Sequence, residues 1–536
     1  MPRSSSHVLP RRPLRLAAAG VVAVGVAGLI GLLILSIAEA AAIQPPVAGR
    51  PVDVWHLVRM TSIQAGLTTV LSIAAGIAVA WALNRLRFPG RDLLAGLFAS
   101  AIVTPGLVVA FGLLSVWGRN GWINRASQDW FGVTLDIPIF GLGGILAAHV
   151  ILDGAFAARI LLARLDALPE MRLKTGRSLG LDAWQRFAVI DWPALRNTLP
   201  GLAAIIFLLA FTSFPIVLLL GGGPANQTLE VAIYSAVRLE FDLSAAVTLA
   251  LVQIGICAIV IVAASVFAPV PVATGGGAGP HWPDGRSARL VQWTVLGLAT
   301  AGFALPLVAV LVDGLGGGLG DVVARPTFWQ ATVTSLLIGL GSSILTLALA
   351  LILGMGRAAV RSPLARIGLG VPAYAYLAVP AVVLSLGFFL FVRGFGVPPV
   401  SAAPVVVVVA NALLALPFAV STLGPGLDAI ARTRGKLIRS LGLSGWRQFA
   451  LVEWPLLGPD IGMVLSLSFC FSLGDLGVIA LFGTQDFATL PLTMLRALGA
   501  YRSNDAAAIA AIMLIGTILA FVAIPRVFAR LSRAVA

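Results

Sequence analysis

Asp153 and Asp475 stand inside long apolar runs of the sequence. An ionisable side chain in such a run is costly and marks a candidate substrate or ion path. A carboxylate there favours a passing cation; the structural alternative is an aspartate bonded to backbone or to a neighbouring Ser or Arg. Around Asp475 the order Gly474-Asp475-Leu476-Gly477 predicts a helix interrupted by small residues. His149, and Asn411 further on, read as polar contacts between helices. The other histidines (His7, His56, His281) are scattered and show no ligand spacing. Cys257 and Cys470 lie in apolar runs and cannot build a disulfide framework or a metal cluster. No metal site and no cofactor is implied.

Phosphate-binding and catalytic patterns are also absent from the sequence. Gly435-Lys436 is followed by Leu437 and lacks the earlier glycine of a phosphate loop, and Gly221-Gly222-Gly223 runs into Pro224 and reads as a turn. No nucleophile-elbow pattern occurs, so no catalytic residue is assigned. The chemistry on offer is binding and passage, and ATP hydrolysis would have to come from a separate subunit.

The elements that position these residues are apolar. Hydrophobic residues make up 59% of the 536 and charged ones only 11%, against about 25% charged in soluble chains. Runs long enough to cross a bilayer as helices recur from end to end. They predict about twelve spans, near 16–37, 60–83, 93–116, 139–162, 199–220, 243–267, 290–312, 329–353, 367–391, 405–423, 461–482 and 506–527. The expected class is an all-α membrane protein. Arg11, Arg12 and Arg15 precede the first run, which is longer than a signal-peptide core of about 7–15 residues and reads as a retained span.

Lys and Arg set the orientation. With the N-terminus cytoplasmic, roughly three-quarters of them fall in inner segments, which predicts both termini inside. The net charge of +14 then reflects inner loops beside anionic lipid rather than nucleic-acid binding.

The chain repeats. Residues 148–193 align without a gap with 410–455, and about 20 positions are identical where chance gives about 3. The densest part sets RSLGLDAWQRFAVIDWP (177–193) against RSLGLSGWRQFALVEWP (439–455), and Lys174, matching Lys436, is one of only two lysines in the chain. A Pro/Gly-rich stretch, 269–287, reads as a cytoplasmic linker. The expected organisation is two homologous six-span halves in tandem, 1–268 and 288–536, in the same orientation.

The best-preserved repeated element is an inner loop in each half, about 164–198 and 425–458. Connecting loops usually drift, so this one needs a further reason. Gly180 and Gly442 permit a sharp change of direction. Leu181, Trp184, Phe187 and Ala188 then fall on one helical face, as do Leu443, Trp446, Phe449 and Ala450. This Trp/Phe ridge beside Arg186 or Arg447 suits a partner's groove, and Pro193 and Pro455 are expected to stop the helix. An interfacial helix resting on lipid is the alternative; the same Gly and Pro spacing in both halves favours docking.

Gly, an aromatic stretch, a hydrophobic pair and then Pro resembles the coupling loop of binding-protein-dependent ABC importer permeases, in both halves. In that family the loop docks on the ATP-hydrolysing subunit. The family's Glu-Ala-Ala positions here read Lys174-Thr175-Gly176 and Lys436-Leu437-Ile438, and the Leu before Pro is Trp192 or Trp454. The strings FPGR (88–91), LSVWGRNGW (114–122), LLLGGGPANQTLEVAIYSA (218–236), LGDLGVIALFGTQDFATLP (473–491) and GAYRSND (499–505) are similar to permeases of thiamine/thiamine pyrophosphate importers.

That resemblance implies a bacterial inner-membrane permease, itself no enzyme, with two copies of a cytoplasmic ATP-binding subunit and a periplasmic substrate-binding protein as partners, and thiamine or its phosphates as cargo. Outer loops carrying Glu230, Glu240, Asp242, Asp486, Arg496 and Arg502 are candidates for docking the binding protein; plain solvated loops are the alternative. A ferric-iron permease of the same build is the near alternative. A twelve-span secondary transporter is the distant one, but it has no need of a long repeated loop between its fourth and fifth spans. A membrane-embedded enzyme or scaffold would show intramembrane His/Asp/Glu clusters, which the sequence lacks.

Overall fold

The computed structural model describes residues 13–43, 52–265, 282–360 and 362–534. Arg3, His7, Arg11, Arg12, His281, Arg361 and most of the expected linker, 269–281, lie outside the described residues. Among those described, the ordered structure is entirely helical. Nine helices are long and apolar enough to cross a membrane. Three further pairs of helices, each bent at a short break, bring the number among the described residues to twelve if every pair counts as one span.

The bends have local causes. Arg91–Ile102 meets Gly106–Phe131 at 113°, and Pro363–Ala378 meets Ala381–Gly394 at 100°. Pro105 and Pro380 sit at these two breaks in extended backbone, where each starts a new helix and cannot continue the old one. The third pair, Ala183–Arg196 with Leu199–Phe211, bends by 58°. Two expected spans are shorter than the hydropathy suggests. The fifth ends at Phe211 and resumes as Pro215–Leu220. The eleventh ends at Gly474 and resumes as Gly477–Phe482, with Asp475 in the gap.

Packing crosses between the two sequence repeats. The first span, Pro13–Ile43, packs on Pro326–Ala359, Pro363–Ala375 and Ala381–Gly394. Correspondingly, Arg286–Gly316 packs on Val54–Arg85 and Gly106–Trp117, and also on Ser503–Arg533. Each repeat's first helix thus lies against the other repeat. Small residues permit the closest approaches. A Cβ added at Gly76 would sit 2.5 Å from that of Ala157, and one at Gly314 would overlap the Ala507 carbonyl oxygen.

Candidate functional site

Two loop ridges come first. The helix Glu170–Ser178 ends at Gly180, whose φ is +69°, and the Leu181 N–H bonds back to the Gly176 carbonyl at 3.2 Å. Gly442 repeats this with φ +62° and a 3.0 Å bond from the Leu443 N–H to the Ile438 carbonyl. Both are left-handed helix caps, which glycine adopts at least cost. Asp182 and Gln185 then cap the start of Ala183–Arg186 reciprocally, at 2.7 and 3.0 Å.

The prolines do not stop the helix as expected. Phe187–Asp191 is a wider π-helical turn, and Trp192–Arg196 continues through Pro193. In the second copy Phe449–Glu453 is likewise π-helical, and Trp454–Gly474 runs straight through Pro455. Each proline lies in the first turn after the bulge, where its missing N–H is tolerated.

Trp184 and Trp446 are 74% and 76% exposed. Trp184 stacks on Phe187 with ring centroids 6.0 Å apart, and Phe187 meets Trp192 at 6.4 Å. Trp446, Phe449 and Trp454 repeat the row at 5.2 and 6.4 Å. Lys174 is exposed and pairs with Glu170 at 3.0 Å, and Lys436 is exposed on the short helix Gly435–Ser440.

Arg186 departs from expectation: it is buried beneath its ridge rather than displayed beside it. It pairs with Asp284, donates to the Trp282 carbonyl at 2.8 Å and lies 4.6 Å from the Trp282 ring centroid. Its repeat partner is Gln448, also buried, which donates to Glu453. Arg447 is exposed. The signal was in the alignment, which sets Arg186 against Gln448 and an acid, Asp191 or Glu453, at a second shared position.

Those acids anchor the ridges. Asp191 pairs with Arg85 at the end of the second span, with both side chains almost fully enclosed. Asp284, just ahead of the seventh span, also accepts from Gln292 at 2.6 Å. Glu453 takes two bonds from Arg15 of the first span, at 2.6 and 3.1 Å. Each ridge is therefore joined by charge to the start of the first or the seventh span. Gly442→Val should impose strain of about 1–3 kcal/mol in otherwise open space. Misaiming of the ridge should cut ATP-driven uptake about tenfold while membrane expression, checked by immunoblot, holds.

The second feature is a cavity of about 330 Å³, near the lower bound of the ~300–1,000 Å³ usual for small-molecule sites. Asp153 and Asp475, far apart in sequence, both line it. It opens where helices break, beside Gly106, Ser213 and Asp475, the arrangement in which membrane transporters hold cargo. His149 Nδ1 lies 3.1 Å from Asp153 Oδ2 on its own helix, so it is not the contact between helices that the sequence suggested. Asn411 is such a contact, donating to Ser472 Oγ at 2.9 Å.

On the far side, Arg238 donates to the carbonyls of Ala480 (3.0 Å) and Gly483 (2.6 Å), joining the two repeats. Burial and the nearby Arg238 lower the pKa of Arg496, which donates to the Thr484 carbonyl at 3.0 Å. Glu230, expected on a docking surface, is completely buried and accepts from Gln253 at 3.2 Å. The helix Leu229–Arg238 turns that face inward, so Glu230 cannot meet a protein partner. Glu240, Asp486, Arg496 and Arg502 remain exposed.

No family model matches the chain. Curated relatives do. The thiamine transport system permease protein ThiP of Salmonella typhimurium is 38% identical over 468 residues, covering 86% of this chain and 87% of its own. That of Escherichia coli is 38% identical over 479 residues, covering 88% and 89%. The protein of the same name from Brucella melitensis is 37% identical over 465 residues, covering 86% and 85%. With this identity along nearly the full length of both chains, and a many-span helical fold, this chain belongs to the family of thiamine transport system permease proteins.

Proposed function

We propose that this protein is the membrane-spanning subunit of an ATP-driven, binding-protein-dependent importer that moves thiamine or its phosphates into the cytoplasm. The observation that carries the reading is the pair of aromatic ridges, one in each repeat, each tied by buried charge to the start of the first or the seventh span. Such ridges are handles for two copies of a cytoplasmic ATP-binding subunit. Closure of that pair on ATP draws the ridges together and rocks the halves, 1–268 and 288–536, about the cavity. The basic inner loops support a cytoplasmic position for both termini.

The far face suits a substrate-binding protein. Phe241 and Tyr501 are 81% and 96% exposed and hold left-handed backbone, with φ of +56° and +57°. That conformation is unfavourable for an aromatic residue, and it presents each ring outward beside its repeat's last span. The names of the relatives favour thiamine over ferric iron. The two cargoes are separated by purifying the binding protein that copurifies with this chain, identifying its ligand, and measuring uptake of that ligand by the reconstituted complex. Thiamine is expected; a ferric-iron ligand would overturn the cargo and leave the permease reading standing.

A further inference from the structure

We infer that the central cavity is a binding site for the positively charged ring system of the cargo, in which Asp475 and Asp153 balance its charge, Phe418 and Phe471 receive its ring, and Asn411 and His149 accept its amine hydrogens. This rests on the reading of the chain as a thiamine permease and assigns the residues that recognise the cargo inside the membrane.

The polar atoms left over in the cavity point to the ligand. Asn411 Oδ1, His149 Nε2 and Asp475 Oδ2 are enclosed and have no hydrogen-bond partner, while Asn411 and His149 are only 4% and 3% exposed. Buried polar atoms of this kind are normally satisfied. Asn411 Oδ1 and Asp475 Oδ2 are acceptors. His149 Nε2 is one in the neutral ring that carries its proton on Nδ1, toward Asp153. Asn411 already uses its amide nitrogen as a donor to Ser472, and Asp475 Oδ1 accepts from the Val478 N–H at 3.3 Å.

Such a cavity asks for a donor and a positive charge. None of the residues lining it is Lys or Arg, and the one basic ring there, His149, sits against Asp153, so Asp475 has no basic partner among the lining residues. Phe418 and Phe471 meet edge to face in its wall, with centroids 5.1 Å apart, and ring faces attract cations. Thiamine answers each requirement. Its thiazolium ring carries a permanent charge with no proton to share, so it needs a carboxylate and an aromatic face. Its pyrimidine carries an amine that needs acceptors. The cavity volume of about 330 Å³ admits a two-ring ion.

The test uses the complete importer, with its ATPase and binding protein, in proteoliposomes. Uptake of thiamine is compared with uptake of its uncharged isostere, in which the thiazolium nitrogen is replaced by carbon. Because the binding protein is the same throughout, any change in the ratio between variants belongs to this chain. Asp475→Asn and Asp153→Asn should each lower the preference for the charged form about tenfold, and Asp475→Glu should restore most of it. Asn411→Leu should slow both compounds alike, since both carry the amine. Copurification with the ATPase subunit verifies that each variant is folded. Thiamine uptake by the wild type with an unaltered ratio in both asparagine variants would overturn the cation site alone. Absence of any thiamine uptake by the wild-type complex would overturn the cargo assignment and this site with it.

Discussion

Replacing Trp184 and Trp446 together by alanine is expected to abolish ATP-driven uptake while leaving the chain folded and in the membrane. Both rings are about three-quarters exposed, so truncation removes little internal packing; surface changes of this kind usually stay within about 0.5 kcal/mol of stability. At an interface the same residues weigh far more. An aromatic anchor of a docked surface contributes at least about 2 kcal/mol, or roughly 30-fold in affinity per ridge. Loss at both ridges should release the ATPase subunit during purification, and each single variant should show an intermediate loss. Retention of the ATPase subunit and of uptake by the double variant would show that the ridges rest on lipid.

Asp191→Ala should give the largest loss of stability. Arg85, Arg186, Asp191 and Asp284 form a buried cluster of two positive and two negative groups. Removing one carboxylate leaves an uncompensated guanidinium in a closed site, which costs about 3–5 kcal/mol. Glu453→Ala should cost less, because its partner Arg15 still reaches solvent, with a side chain 16% exposed. Thermal unfolding in detergent should rank the two variants in that order. Arg85→Met combined with Asp191→Leu should recover much of the loss, since an apolar pair of similar volume often replaces a buried ion pair without cost. Equal destabilisation by Asp191→Ala and Glu453→Ala would contradict the enclosed cluster.

Hydropathy alone located the nine long apolar helices among the described residues, because an apolar run of bilayer length has few other fates. The repeat located the loop ridges, because Gly180 and Gly442 recur at the same distance from Trp184 and Trp446. The crossed packing of the first spans was not legible. It depends on contacts between residues hundreds of positions apart, such as Arg15 with Glu453, which no local pattern encodes. The direction of Arg186 was hidden for a similar reason: its partner Asp284 lies beyond two further spans. Glu230 looked like a surface acid because its short helix carries both polar and apolar residues, and only the packed Gln253 shows which face turns inward. Asp153 and Asp475 stood out as costly residues. Their meeting in one cavity required helix breaks, of which the sequence signalled only the one at Gly474-Asp475-Leu476-Gly477.

The central claim is that an external motor moves this protein by its two inner ridges, and reconstitution of the purified chain in vesicles tests it most directly. With the ATP-binding subunit and loaded binding protein present, cargo should accumulate only when ATP is supplied, and an imposed ion gradient should have no effect. Accumulation by this chain alone, driven by such a gradient with no ATP-binding subunit present, would contradict the account.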